Sequence, residues 1–228
     1  MMSLLRSVRR RARFASVRLK GLYGLSPYCS QWGGSAGTPI LRYYLDLFFR
    51  EHSRDIRGRC LEFQDDTYSK IGGKSVSRLD IMHLDASNPS ATIVADITKS
   101  NDLPANTFDC IICTHVLCVI SDLAEAMRQL HRMLKPGGVL LFGDAHCCMW
   151  DTRNPGHRRF IPYGVRWMLT EVFPAEGVQV RSYGNSLVAA AQMRGIPAEA
   201  FSTAELTFVD ERFVVEVCAR AQKAPAIH

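Results

Sequence analysis

The sequence predicts an α/β fold in which a mostly parallel sheet is covered on both faces. Three observations predict it. Strand-like runs recur at RCLEF (59–63), SVSRLDIM (75–82), ATIVAD (91–96), FDCIICTH (108–115) and GVLLFGDA (138–145), and several are apolar almost throughout. Strands buried on both sides read that way, whereas half-solvated strands alternate. Between the last two lies SDLAEAMRQLHRMLK (121–135), with Leu123, Met127, Leu130 and Leu134 at helical intervals of three and four. Hydrophobic residues make up 47% of 228, enough for the core of one domain with an appendage.

The elements follow in order. Residues 1–20 form a basic arm. Residues 21–39, GLYGLSPYCSQWGGSAGTP, are rich in Gly, Ser and Pro and read as a linker or cover loop. In ILRYYLDLFFREH (40–52), Ile40, Leu41, Tyr44, Leu45, Phe48 and Phe49 keep helical spacing, with Thr38 as cap and Pro39 at the first helical position. Ser121 or Asp122 caps the 121–135 helix, and Pro136-Gly137-Gly138 ends it. VQVRSYG (178–184) and RFVVEVCARA (212–221) add two strands, making seven; 146–177 and 185–205 are helix and loop. The expected division is an arm and linker over 1–36, one domain over 37–223, and a tail over 224–228.

Charge narrows the partners. The net charge is +6, but residues 1–20 hold seven basic residues and no acidic one. Without them the body stands near −1, and nothing in it argues for nucleic acid. The arm itself is a loose tail, a contact for an anionic membrane surface or acidic protein, or an organelle-targeting peptide. No apolar run reaches the roughly 18 residues of a membrane span. The eight cysteines lie mostly inside strand-like runs, which suits buried thiols in a reducing, cytoplasmic setting. Cys110 and Cys113 project to opposite faces of one strand, so no metal site is expected there.

In a parallel sheet, ligands bind beyond the carboxyl ends of the strands. The residues there are Glu62 and the turn Gln64-Asp65-Asp66-Thr67-Tyr68, Asp80, Asp96 with Ile97, Thr114 with His115, and Asp144 to His146. A carboxylate about 20 positions past the first turn can accept from both ribose hydroxyls, and Asp80 stands in that range. Asp96 can accept from an adenine amino group while the Ile97 amide meets a ring nitrogen. Each has a plainer reading: Asp80 as a solvated strand-end acid, Asp96 as a turn starter, Glu62 as a buried paired acid, and Asp65 with Asp66 as an acidic turn. His115 and His146 are each a general base or a backbone-bonded histidine.

The stretch ADITKSNDLPANTFDCIICTHVLCVISDLAEAMRQLHRMLKPGGVLLF (95–142) resembles the class I S-adenosylmethionine-dependent methyltransferases, type 11 group. FDCII and LHRMLKPGGVLL carry most of the likeness. GTPILRYYLDLFF, DIRGRCLEFQDDTYSKIGG, PSATIVADIT, WMLT and YGN extend it over about 37–223 and resemble a bacterial subgroup found with glycosyltransferases and surface-polysaccharide assembly. The resemblance implies a Rossmann-like methyltransferase fold whose last strand is antiparallel. It implies S-adenosylmethionine as cofactor and methyl transfer to a small-molecule or glycan acceptor. It places Glu62, Gln64, Asp65, Asp80, Asp96, Ile97 and Thr114 around the cofactor and His115 near the transferred methyl. Gln64 replaces the glycine that the subgroup retains, and the Thr114–Cys118 run also departs from it. A non-catalytic methyltransferase-like binding module is therefore the rival expectation. An acidic loop without phosphate-cradling glycines disfavours a dinucleotide oxidoreductase. Residues 148–173, with Trp150, Arg153, His157, Arg158, Arg159, Tyr163 and Trp167, are expected to line an acceptor pocket or to form a packed lid.

Overall fold

The computed structural model describes residues 17, 21, 23, 25–99, 102–150 and 156–226. The basic arm, apart from Val17, lies outside the described residues. Seven strands are present: β1 (Gly58–Phe63), β2 (Val76–His83), β3 (Ile93–Val94), β4 (Phe108–Thr114), β5 (Leu134–Ala145), β6 (Val178–Tyr183) and β7 (Glu216–Gln222). They form one sheet in the order β3-β2-β1-β4-β5-β7-β6. β1 runs parallel to β2 and β4, β2 to β3, and β4 to β5. The sheet becomes antiparallel at its last strands, as expected.

Central position explains the composition of β4. Phe108, Cys110, Ile111, Ile112 and Cys113 are all buried, so an apolar residue is needed at nearly every position. Each fully buried Ile or Phe contributes about 1.5–3 kcal/mol. The helices are α1 (Ile40–Glu51), α2 (Leu123–Met133), α3 (Pro162–Thr170), α4 (Ser186–Met193) and the short α5 (Thr203–Thr207).

Three details differ from expectation. Thr38 does not cap α1, because its amide and hydroxyl both donate to the Glu199 carboxylate, the hydroxyl at 2.6 Å. The helix at 121–135 stops at Met133, and Leu134 already has extended backbone. Pro136-Gly137-Gly138 then forms a bulge in β5 rather than a free turn. Phe108 pairs with Leu134, but Cys110 pairs with Val139, so β5 carries extra residues, and Gly137 takes φ 78° there, a value that favours glycine. β3 is two residues long where six were expected.

The chain divides into two compact units. One comprises Asp46–Asp144, Asp151–Arg181 and Val217–His228 and carries most of the sheet. Within it, Phe49 stacks on Tyr68 at 4.3 Å, and Arg220 grips Asp55 through two bonds of 2.9 Å. The Lys223 ammonium donates to the His131 and Leu134 carbonyls at the end of α2. The other unit comprises Met1–Leu45, Ala145–Trp150 and Ser182–Glu216. There Tyr44 stacks on Tyr183 and donates to the Leu206 carbonyl. Asn185 caps α4 and donates to the Glu205 and Phe208 carbonyls. Ser202 and Glu205 form a capping box on α5.

Candidate cofactor site at the strand ends

β1 ends in a tight turn. The Asp65 amide donates to the Phe63 carbonyl at 2.9 Å, closing a three-residue loop around Gln64. Gln64 has φ 74°. That combination is the positive-φ γ-turn, a rare and strained geometry for a side-chain-bearing residue. Three further bonds hold it. The Gln64 amide donates to the Met82 carbonyl at 3.0 Å, Asn88 Nδ2 donates to the Gln64 carbonyl at 2.6 Å, and Asp65 Oδ1 accepts from the Thr67 amide. Glu62, just before the turn, is buried. Its two oxygens accept from the Tyr68 and Ser69 amides at 2.9 and 2.8 Å. Burial pushes its carboxyl up, and those amides pull it back in part. Glu62 thereby fixes the whole 63–69 loop.

Beside this turn lies a cavity of about 210 Å³. Its walls come from four strand ends: Phe63 and Gln64 at the end of β1, Met82 to Leu84 at the end of β2, Ala95 to Ile97 after β3, and Val116, Val119 and Ile120 after β4. β1 and β4 are where the strand order reverses, the position at which open α/β sheets bind ligands. The volume is below the roughly 300–1,000 Å³ of sites that enclose a whole drug-sized ligand, so it suits one end of a nucleoside cofactor. Gln64 is exposed and lines this space. A larger groove of about 550 Å³ lies between α2 and α3. It is mostly apolar, with Arg128, Arg159 and Glu171 its charged residues, and no strand end reaches it.

The structure brings Gln64, Asp96 and Ile97 together at the smaller cavity. Ile97 is buried, and Asp96 accepts from the Thr98 amide and hydroxyl, with Lys99 3.2 Å away. Those contacts hold the Asp96 carboxyl below its usual range, Thr98 contributing most. Glu62, Asp65, Thr114 and His115 are not among the lining residues. Thr114 is the last residue of β4. His115 follows with φ 53° and donates its amide to the Gly143 carbonyl.

Asp80 lies deeper in the sheet than the other candidates. It is not a strand-end acid: β2 continues to His83, and Asp80 sits opposite Leu61 inside the ladder, 2% exposed. Arg59 Nε donates to it at 2.7 Å, Thr92 Oγ1 at 3.2 Å and Arg78 at 3.3 Å. Burial raises its carboxyl, but these partners outweigh burial and leave it below the usual range. The first carboxylate past the end of β2 is Asp85, which accepts from the Ser87 amide at 2.9 Å. It too stands about 20 positions beyond the turn, so the spacing rule admitted both residues.

The segment after β5 also behaves differently from a row of acceptor ligands. Arg158 is spent on backbone carbonyls of Leu117, Ile120 and Ser121, while Tyr163 and Trp167 remain exposed. Arg153 lies outside the described residues. Cys110 faces Cys60 across the β1–β4 ladder, and both Cys110 and Cys113 are buried. Contact with Cys60 and burial push the Cys110 thiol up, and burial alone does most of this at Cys113.

Residues 71–142 match the family model described as a methyltransferase domain. The chain is also 30% identical over 77 residues to the ubiquinone/menaquinone biosynthesis C-methyltransferase UbiE of Pasteurella multocida. That stretch is 34% of this chain and spans about a quarter, 26%, of the relative. Among solved structures, the DhpI–SAH complex covers 95% of this chain and 98% of its own at a TM-score of 0.52 and 12% identity. A SAM-dependent methyltransferase from Archaeoglobus fulgidus covers 80% of this chain and 91% of its own, with a TM-score of 0.51 and 11% identity. The fold is thus the Rossmann-like methyltransferase fold.

The residues present fit S-adenosylmethionine better than a phosphate-bearing cofactor. The turn after β1 offers carboxylates rather than a glycine cradle of free amides. A sulfonium and an ammonium are favoured beside carboxylates; a pyrophosphate is not.

Proposed function

We propose that residues 37–223 form an S-adenosylmethionine-dependent methyltransferase acting on a small-molecule acceptor. The observation that carries this reading is the strand-end cavity beside Gln64, with Asp96 and Ile97 on one wall and Val116, Val119 and Ile120 on another. Ile97 and Val119 give a flat heterocycle apolar surface. Asp96 accepts from its amino group, and Asp85 accepts from the ribose hydroxyls in the role first expected of Asp80. Glu62, through its grip on the Tyr68 and Ser69 amides, shapes the loop that faces the amino-acid end of the cofactor, with Asp65 beside it and Thr114 at the neighbouring strand end. The bound cofactor supplies an electrophilic methyl group. The chain's own task is chiefly alignment, and His115 takes the proton when the acceptor atom is a hydroxyl. Exposed Tyr163 and Trp167 offer flat faces to a sugar, which supports a glycan or glycan precursor as one acceptor class.

Thermal unfolding with S-adenosylmethionine and with S-adenosylhomocysteine tests the reading. With Kd near 10 μM, ~1 mM ligand should stabilise the protein by about 2.7 kcal/mol, and Ile97→Arg should remove the shift. No shift for either ligand with folded protein would overturn it in favour of a non-catalytic module. A shift with NAD(H) instead would point to a dinucleotide enzyme.

A further inference from the structure

The wall that closes the cofactor cavity on the β4 side is a short loop, and one residue far along the chain gathers its carbonyls. The loop follows β4 and supplies Val116, Val119 and Ile120 to the cavity. Arg158 Nη1 donates to the Leu117 carbonyl at 2.9 Å and to that of Ile120, and Nη2 donates to Ser121 at 3.1 Å. The fourth carbonyl, that of Cys118, accepts from the His157 amide at 2.7 Å. The Cys118 amide in turn donates to the buried Asp144 carboxylate at the end of β5. A guanidinium is suited to this because its donors form a planar fork. The connection between β4 and α2, residues 115–122, lies outside any helix or strand, so its shape depends on bonds of this kind.

We infer that Arg158 is a positioning residue for the cofactor: it clips the post-β4 loop into the shape that forms one wall of the binding cavity. Arg158 is not itself among the cavity's lining residues and acts through the loop carbonyls it holds, that of Ile120 included. The inference rests on the cavity being the cofactor site, as proposed above. It also gives Arg158, within the segment after β5, a structural task.

The test uses the full-length protein in two arms. In the first, amide hydrogen exchange is followed without ligand. Arg158→Ala should expose the amides of 116–121 to exchange at least tenfold faster, while those of β1, β4 and β5 keep native rates. In the second, S-adenosylhomocysteine is titrated calorimetrically. Arg158→Ala should weaken binding about tenfold, equivalent to ~1.4 kcal/mol. Arg158→Lys, which keeps the charge and loses the fork, should fall between the two. Arg50→Gln, a surface change at an i,i+4 pair with Asp46, should match the native protein in both arms. If Arg158→Ala speeds exchange throughout the sheet, the comparison is made on Arg158→Lys alone. Native exchange at 116–121 together with native affinity in the variant compared would overturn the inference. A native protein that binds no S-adenosylhomocysteine would instead defeat the proposed function, and the exchange arm would still decide whether the clip exists.

Discussion

Gln64 shows how one backbone angle sets a site's properties. At φ 74° a side chain costs about 1–2 kcal/mol relative to glycine. Four hydrogen bonds around it hold the turn in place nevertheless. Replacing it with glycine removes the strain but gives the unfolded chain extra freedom worth about 0.5–1 kcal/mol. Gln64→Gly is therefore expected to stabilise the protein by ~0.5–1 kcal/mol, read from the urea midpoint at unchanged slope. Glycine's absence was legible in the sequence; the positive φ was not, because it depends on where β1 and β2 end. The same limit applies to Asp80. Counting residues from Glu62 cannot reveal the partners that bury Asp80 in the ladder against Arg59, or that Asp85 lies just past the end of β2.

At the scale of elements, the strands that read most clearly were those the fold buries on both faces. β4 was legible because Phe108, Cys110, Ile111, Ile112 and Cys113 are all buried. The α2 pattern was legible too, and its start is fixed by Asp122, whose carboxylate accepts from the Glu125 amide at 2.9 Å. Asp122→Ala should lower stability by about 1 kcal/mol, within the ~0.5–2 kcal/mol typical of lost caps, measured as a shift in the denaturant midpoint. The bulge at Pro136–Gly138 was not legible, since it exists only as a change of register against β4. Thr38 looked like a cap because the local sequence contains no sign of Glu199, a partner 161 residues away.

Across the whole molecule, the Asp55–Arg220 pair ties the turn before β1 to β7, 165 residues on. Both side chains are mostly buried, at 21% and 17% exposure. Burial pushes the Asp55 carboxyl up, but His52 and Arg220 outweigh it and hold it well below the usual range. A carboxyl depressed on folding contributes its full stability above the unfolded pKa of about 3.9 and loses it as pH falls toward the folded value. Asp55→Asn should therefore cost about 2–3 kcal/mol at neutral pH, somewhat under the ~3–5 kcal/mol of a fully buried pair losing one partner. The difference between variant and native should shrink in urea melts taken from pH 5 down to pH 2. A difference independent of pH over that range would show that shape, not charge, is what matters there.

The brevity of β3 has an effect beyond the site it helps to frame. Ile93 and Val94 end the sheet on one side, so that border presents two residues' worth of ladder to an incoming chain. Unpaired strand borders are the usual templates for aggregation, and very short ones recruit poorly. The same short strand that leads directly into Ala95, Asp96 and Ile97 at the cavity wall thus also offers little template for polymerising through that side.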